Sequence, residues 1–464
     1  LGIIHRLKGS PSVQIRHIGR SDHLYAKTYG PGVSKVNPRA NDAGSRTEGR
    51  CEESSVKVLH LLDTYLRITE NWLYPQIVGI TNVDSRVACS SLANLETFII
   101  DRHRIIISPP SWSFAFGVPR IINSVATRLG RLDVMIEARM RWWRPDVLHA
   151  HFGPKGWESI ALKRRLNIPL VTSFYGYDAW RLPKKEPTWA ERYKELFAIG
   201  EVFLVEGPAM RARLLELGCP AEKLQIVRVG VDLTALPYER RKVSNGLKIV
   251  LVGRFIEKKG FVDGLVACAL ARSQGVNMDV TIVGDVPADD TVGQEIKRQL
   301  CIISHGKQLL GRVRFTGFLA PSETRSIVKE HNVFLCPSTH SADGDAEGGS
   351  PVALTEAMAL GLLCLGSRHC DIPELILHEK TGYLFHEGDV NSIADMLCKV
   401  SRARAGIREI TDAGRAHVEE NFSLSTQLNR LQQIYQSVCR GTKGNSTGSE
   451  APMPPVRLGS RSRS

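Results

Sequence analysis

The run LKIVLVGRFIEKKG, Leu247 to Gly260, decides the fold. Its apolar half reads as a strand, Gly253 frees the backbone to turn, and a charged loop then leads into a helical pattern. Such a strand–turn–helix step is the repeating unit of a parallel α/β sheet. The same step recurs outward in both directions. Downstream lie MDVTIVG, VRFTGF, NVFLCPS and LLCLGS. Upstream, beyond the polar break ERRKVSNG, lie VKVLHLL from Val56, RIIIS from Arg104, DVLHAHF from Asp146, IPLVTSF from Ile168, EVFLVEG from Glu201 and KLQIVRV from Lys223. Two Rossmann-like domains with a cleft between them are expected, and 464 residues are enough to give each its own core.

The formal charge of +13 suggests a nucleic-acid partner until it is divided along the chain. Residues 1–55 hold nine Lys/Arg against five Asp/Glu, and residues 441–464 hold four against one, so the tails carry about half of the excess. Without an RNA- or DNA-binding motif, the remainder suits an acidic substrate or an anionic membrane better than nucleic acid. Both tails are poor in apolar residues and are expected to lack regular structure. The first methionine is Met135, so residue 1 reads as a fragment edge or an extension. The N-terminus has no signal-peptide pattern and no run of eighteen apolar residues occurs, so a cytoplasmic location is expected. The ten cysteines are scattered, which fits reduced thiols better than a metal site, although His369, Cys370 and Asp371 are adjacent.

In EGGSPVALTEAMALG, Glu347 to Gly361, two carboxylates flank a glycine turn that opens a helix. Gly348 and Gly349 allow close ligand approach, while Ser350 and Pro351 suit the N-cap and first helical position. A helix N-terminus carries roughly half a positive charge, so an anion such as a diphosphate would be at home there. An ordinary capped helix gives the same pattern. At the carboxyl edge of the LKIVLVG strand, Gly253, Arg254 and Lys259 enter a loop where open α/β sheets bind ligands. Two fixed cations there would neutralise a departing diphosphate; a solvated basic loop is the alternative, with Lys258 expected to be the exposed lysine of the pair.

In the first half, DVLHAHFG carries His149 and His151 two apart, expected on opposite faces. His151, next to Phe152 and Gly153, is then the one that reaches the cleft, and His149 reads as a core residue. Their spacing lacks the further ligands of a zinc site. In TSFYGYD, Gly176 frees the backbone and Asp178 suits either sugar hydroxyls or a helix cap. In HLLDTYLRITENW, Thr69 reads as a cap and Glu70 as an acceptor contact, and the absence of G-x-G-x-x-G after this strand argues against a nicotinamide dehydrogenase. From Arg120 to Arg144, six Arg interleave with apolar residues and end at Trp142 and Trp143, which suits either a helix lying on an anionic membrane or one packed on its sheet.

Taken together, TENWLYPQI, DVLHAHFG, TSFYGYD, the run from FLVEGPAMRARLLELGCP to VGVDL, VGRFIEKKG, HSADGDAEGGSPVALTEAMALG and SRHCDIPELILHEKTGYLF resemble glycosyltransferase family 4. The resemblance covers about residues 56 to 440 and points to the retaining GT-B enzymes of the exopolysaccharide and colanic-acid-type branch. It implies an α/β GT-B fold with two Rossmann-like domains facing a central cleft. The expected boundaries are 1–55 for a tail, 56–240 for the acceptor-side domain, 241–426 for the nucleotide-sugar domain, 427–440 for a helix returning to the first domain, and 441–464 for a second tail.

The resemblance also implies a UDP- or GDP-sugar donor, a saccharide or lipid-linked saccharide acceptor, and an active site without metal or cofactor. Arg254 and Lys259 resemble the pair that binds the donor diphosphate, Glu356 the glutamate that holds the ribose, and Glu347 a contact to the donor sugar. His151 resembles the active-site histidine of the first domain. Gly253, Gly348, Gly349, Ser350 and Pro351 fall on the donor side, and Glu70, Gly153, Gly176 and Asp178 on the acceptor side. Two departures stand out. Eight residues separate Glu347 from Glu356 where the family usually has seven, with Asp345 nearby, and the family's frequent G-D-G-P is GDVP from Gly284. A GT-B epimerase or phosphorylase, and a noncatalytic nucleotide-sugar binder, are the rival classes. A peripheral place on the inner face of the cytoplasmic membrane follows from the basic segment.

Overall fold

The computed structural model describes residues 55–107, 140, 142–241, 246–403 and 406–444. It contains two fully parallel sheets. The first is built from β1 (Val56–Tyr65), β2 (Val83–Leu92), β3 (Ile105–Ile107), β4 (Val147–His151), β5 (Leu170–Ser173), β6 (Val202–Val205) and β7 (Leu224–Ile226), in the order β3-β2-β1-β4-β5-β6-β7. The second is built from β8 (Leu247–Val252), β9 (Met278–Val283), β10 (Val313–Phe315), β11 (Val333–Cys336), β12 (Leu363–Ser367) and β13 (Tyr383–Phe385), in the order β10-β9-β8-β11-β12-β13. In each sheet the strand order reverses between neighbours, at β1/β4 and at β8/β11. Chains leaving the carboxyl ends of those strands diverge to opposite faces and open a crevice for a ligand.

The strands read as apolar runs because both faces are covered. On one face of the first sheet, Leu59, Leu148, Ala150 and Leu170 pack with Phe174, Phe197 and Phe203. On the other, Val58, Val147, Val171 and Leu204 pack against Leu431, Ile434, Tyr435 and Val438 of the last helix, Leu424–Gly444. The chain therefore leaves the second domain and returns to the first. β8 is buried on both faces in the same way, with Leu247, Ile249 and Leu251 in one cluster and Val250 in another.

Two strands are missing from the sequence reading. β2, VDSRVACSSL, buries only Ser85, Val87, Ala88 and Cys89. Small and polar residues of low strand propensity fill it, and pairing along almost all of β1 holds it in place. β13 is three residues long, too short for a period to register. Residues 1–54, 445–464 and most of the basic stretch 120–144 lie outside the described residues. At its end, Trp142 is 93% exposed whereas Trp143 is buried, donating to Asp84 Oδ2 at 2.5 Å beneath the Arg86 guanidinium.

The return helix is a structural part of the first domain, not an appendage. Leu431→Ala removes a side chain that is 1% exposed from that interface, and large-to-small core changes of this kind cost about 2–5 kcal/mol. Urea unfolding followed by far-UV circular dichroism should show a loss in that range; a change below about 0.5 kcal/mol would mean that the helix does not pack as described.

Candidate active site

Both switch points carry polar side chains, and the domains meet over them. At β8/β11, Lys259 closes the single turn Glu257–Lys259 and directs Nζ to both oxygens of Glu347, at 2.8 and 3.0 Å. Ser338, just past β11, donates to Glu347 Oε1 at 2.7 Å, and the Glu347 N–H donates to His369 Nε2 at 3.1 Å. The Glu347 side chain is only 8% exposed. Burial by itself would raise its carboxyl, but Lys259 and Lys258, with the hydrogen bonds from Lys259 and Ser338, overcome this and hold it down at about 2. Glu347 is therefore a fixed anion at any working pH.

Lys258 is not the exposed lysine of the pair. It is 12% exposed, donating to Ala346 O at 2.8 Å and pairing with Asp345 Oδ2 at 3.1 Å. In a single tight turn both lysines fold back over the loop before the glycines. Arg254 is the exposed cation of this loop, and Gly253 lies along the Lys259 stem, where a Cβ would come within 3.2 Å of Cε.

The helix after the glycine turn starts one residue later than expected, at Val352, with Pro351 as its N-cap and no side-chain cap. Ser350 does not cap it, because its Oγ donates to Asp371 O at 2.7 Å. Glu356 projects from this helix toward Arg325, with 3.7 Å between the charged atoms. Burial raises its carboxyl and Arg325 opposes the shift.

At β1/β4 the histidines correct the expectation directly. Residues two apart on a strand point to the same face, and the His149 and His151 rings lie 4.2 Å apart. His60, in register with His149 on β1, joins them, with its Nδ1 3.0 Å from His151 Nε2. His149 bonds Tyr435 Oη at 2.6 Å and Ser173 Oγ at 2.7 Å, and His151 bonds Tyr175 Oη at 2.8 Å. All three are buried, and burial first, with mutual repulsion for His149 and His151, lowers their pKa values so that they stay neutral. Their donor atoms come within 4.8 Å of one another. Only His60 Nε2 lacks a hydrogen-bond partner, so a metal would have to displace the chain of bonds already formed. His151 is 1% exposed and stands behind Tyr175, whose ring packs tilted against Trp72 with centroids 4.4 Å apart.

Asp178 neither caps its own following helix nor meets solvent. Fully buried, it accepts from Gly153 N at 2.8 Å and Tyr175 N at 3.0 Å, tying the loop after β5 to the loop after β4. Burial pushes its carboxyl up to about 6 despite those bonds. Gly153 is likewise a packing residue, since a Cβ there would lie 2.4 Å from the Phe174 ring. Between His151 and Gly153, Phe152 holds φ +74°, a conformation that costs a non-glycine residue about 1–3 kcal/mol, and its N–H donates to Ser173 O at 2.9 Å. Thr69 is exposed and does not cap; the N-cap is Arg67, which pairs with Glu70 at 3.1 Å.

The glycine turn touches the first domain. Gly176, at φ +107°, backs onto the Glu347 carbonyl, where a Cβ would come within 2.8 Å. Gly348, at φ +84°, would place a Cβ 2.7 Å from Gly176 Cα. Thus the structure brings together Lys259, Glu347, Gly348, Gly349 and Gly176, while Glu356 and Glu70 pair elsewhere with Arg325 and Arg67.

With that geometry in place, the relatives are informative. The family model described as Glycosyl transferases group 1 matches residues 246–402, and Glycosyltransferase Family 4 matches residues 101–235. The amylovoran biosynthesis glycosyltransferase AmsK of Erwinia amylovora is 33% identical over 310 residues, covering 66% of this chain and 73% of the relative. The putative colanic acid biosynthesis glycosyltransferase WcaL of Escherichia coli is 32% identical over 64% of this chain and 71% of its own length. The chain belongs to glycosyltransferase family 4. Its fold is GT-B: HepE of Anabaena, solved with UDP, superposes with a TM-score of 0.65 at 16% identity over 82% of this chain and all of that one. Sucrose-phosphate synthase of Thermosynechococcus elongatus does so with a TM-score of 0.65 at 17% identity, over 83% of this chain and all of that one.

Several residues packed around this candidate site were given no role from the sequence: His60, Ser338, Glu206 and Tyr435, with Asp371 noted only for its place beside His369 and Cys370. Glu206 follows β6 directly and Ser338 lies two residues past β11, so a polar residue at the carboxyl end of a parallel strand was a usable signal. His60 matches His149 only once the strand register is known, and Tyr435 and Asp371 arrive from distant sequence.

A carboxyl held at about 2 contributes stability that is fully present above its ordinary range near 4.5 and is lost as pH falls toward 2. Lys259→Met should flatten the loss of stability between pH 4.5 and 2 relative to the parent enzyme. Glu387, held at about 2 after hydrogen bonds from His340 and His369 outweigh its burial, titrates in the same window, so the difference between the two curves is the quantity to read. Parallel curves would show that Lys259 does not set the Glu347 charge.

Proposed function

We propose that this glycosyltransferase moves a sugar from a UDP- or GDP-sugar to a saccharide acceptor in exopolysaccharide assembly, with retention of configuration. The observation that carries the reading is the Lys259–Glu347 pair at the glycine turn, set at the carboxyl edge of β8 and β11 beside the N-terminus of the Val352–Ala359 helix. A leaving diphosphate gathers negative charge there. Lys259, Arg254 and the free N–H groups of the helix start would meet it with fixed positive charge, in a site that needs no solvent reorganisation. Those groups suffice for the step, so the proposal includes no metal ion and no cofactor.

In the proposed front-face reaction the bond from the sugar's anomeric carbon to the diphosphate oxygen breaks, and the acceptor oxygen bonds to the same face. The acceptor proton passes to the departing diphosphate oxygen. Glu347, ionised and immobilised, is suited to hold the donor sugar's hydroxyls, and Glu356 those of the ribose. His151 acts one layer back, by fixing Tyr175. Exclusion of water by the meeting of the two domains favours transfer over hydrolysis.

AmsK and WcaL carry names that tie them to amylovoran and colanic acid, and this supports an exopolysaccharide acceptor. HepE was solved with UDP and with UDP-glucose, which supports a uridine nucleotide among the candidates. No helix among the described residues is long and apolar enough to cross a membrane. A lipid-linked acceptor reached from the cytoplasmic side, with peripheral contact through the basic segment 120–144, is part of the proposal.

A panel of UDP- and GDP-sugars with a lipid-linked oligosaccharide acceptor should give nucleoside diphosphate release and an axial or equatorial linkage matching the donor by proton NMR. Lys259→Ala should lower turnover by roughly 10²–10³-fold, the usual effect of removing one fixed charge-stabilising donor. An inverted linkage would overturn retention, and equal turnover in Lys259→Ala would overturn the assigned donor site.

A further inference from the structure

Glu206, the residue that follows β6 directly, reaches the glycine turn from the opposite domain. Its carboxyl accepts the Gly349 N–H. A Cβ on Gly349 would lie 1.7 Å from Glu206 Oε2 and 2.6 Å from its Cβ, so the side chain occupies the space that only a glycine leaves open. Two further contacts pin the same seam. Asp371, which leaves β12 and takes the Ser350 hydroxyl on its carbonyl, extends its carboxylate to the first domain and accepts from Ala209 N at 2.7 Å. Gly207 faces that carboxylate so closely that a Cβ would be 2.3 Å from Cγ.

We propose that Glu206 is a positioning residue for the donor-side glycine turn: from the first domain it holds the Gly348–Gly349 backbone and thereby sets where Glu347 stands across the cleft. The turn runs through Gly348 at φ +84° and Gly349, two residues without a side chain to fix the backbone. Such a turn has more conformations to lose, and a contact from the facing domain selects one of them when the cleft closes. The transfer-related consequence rests on the proposed function; the positional one does not.

Charge makes the clamp pH-sensitive. Burial, then Asp371, Asp178 and Glu347, push the Glu206 carboxyl up to about 8, and Tyr175 faces it as well. Asp371 and Asp178 are themselves raised by burial, each to about 6. A carboxyl whose value is raised in the closed seam favours opening progressively as pH climbs from its ordinary range, and the effect levels off above the raised value. Above about 7 the two aspartates are largely ionised, so the slope that remains from 7 to 8 belongs to Glu206.

Amide hydrogen exchange of residues 346–351, measured on the ligand-free full chain and corrected for intrinsic exchange, tests this directly. The parent protein should open its turn up to about tenfold more over the pH unit from 7 to 8. Glu206→Gln, a neutral isostere that still accepts the N–H, should abolish that slope, and Glu206→Ala should exchange at least tenfold faster at pH 6.5 with an unchanged thermal midpoint. Donor kcat/KM at pH 7 should fall about tenfold in Glu206→Ala and stay within threefold in Glu206→Gln. Equal exchange in Glu206→Ala and parent, or a slope that survives in Glu206→Gln, would overturn the proposal whether or not any donor is consumed. The expected exchange pattern in a protein that turns over no donor would leave the positional role standing and defeat the transferase reading instead.

Discussion

The buried ion pair between Lys259 and Glu347 is the contact on which the site depends. Removing one partner of such a pair leaves an uncompensated charge and typically costs about 3–5 kcal/mol, so neither group is free to drift. Ser338 adds a hydrogen bond to the Glu347 carboxylate, and His369 accepts its backbone N–H. The pair thus converts a glycine-rich loop, which would otherwise sample many conformations, into a rigid platform beside a helix N-terminus. Catalysis of group transfer to or from an anionic leaving group needs that rigidity, because charge stabilisation is effective only when the dipoles are already in place.

The first domain completes the platform. Gly176, Glu206 and Ala209 each touch the segment from Glu347 to Asp371, and the last helix, leaving the second domain at Ser423, packs Tyr435 onto His149. A hydrogen-bonded line runs from that helix through His149 and Ser173, and a second runs through His60, His151 and Tyr175 to the cleft. Neutral, buried imidazoles suit this role, since each can donate with one nitrogen and accept with the other. Rigidity at the acceptor side therefore comes from the core outward.

Fold was the easier part to read. Eleven strands announce themselves as apolar runs because a parallel sheet buries both faces, whereas β2 and β13 escape because one is filled with small polar residues and the other is three residues long. The meeting of Lys259 and Glu347 was legible where the pattern is local, since each sits in a short charged, glycine-containing motif at the carboxyl edge of a strand. What failed was side-chain direction. His149 and His151 were read on opposite faces although a period of two puts them on one, and Lys258 was read as solvated although a single turn folds it onto Asp345. Asp178 and Gly153 looked like ligand contacts but serve each other, a relation visible only when the loops after β4 and β5 are adjacent. Glu206 carried only the weak signal of a polar residue at a strand's carboxyl end, and Asp371 only its place beside His369 and Cys370; their partners lie across the cleft.

The central claim is that Lys259, held by Glu347, is the docking point of the donor's diphosphate. Isothermal titration calorimetry of the full chain with UDP and GDP reads this without an acceptor. One of the two nucleotides should bind, with affinity lowered at least about tenfold in Lys259→Ala and unchanged in Glu70→Ala, whose carboxylate is engaged by Arg67. Binding that is equally tight in Lys259→Ala and in the parent enzyme would contradict the claim.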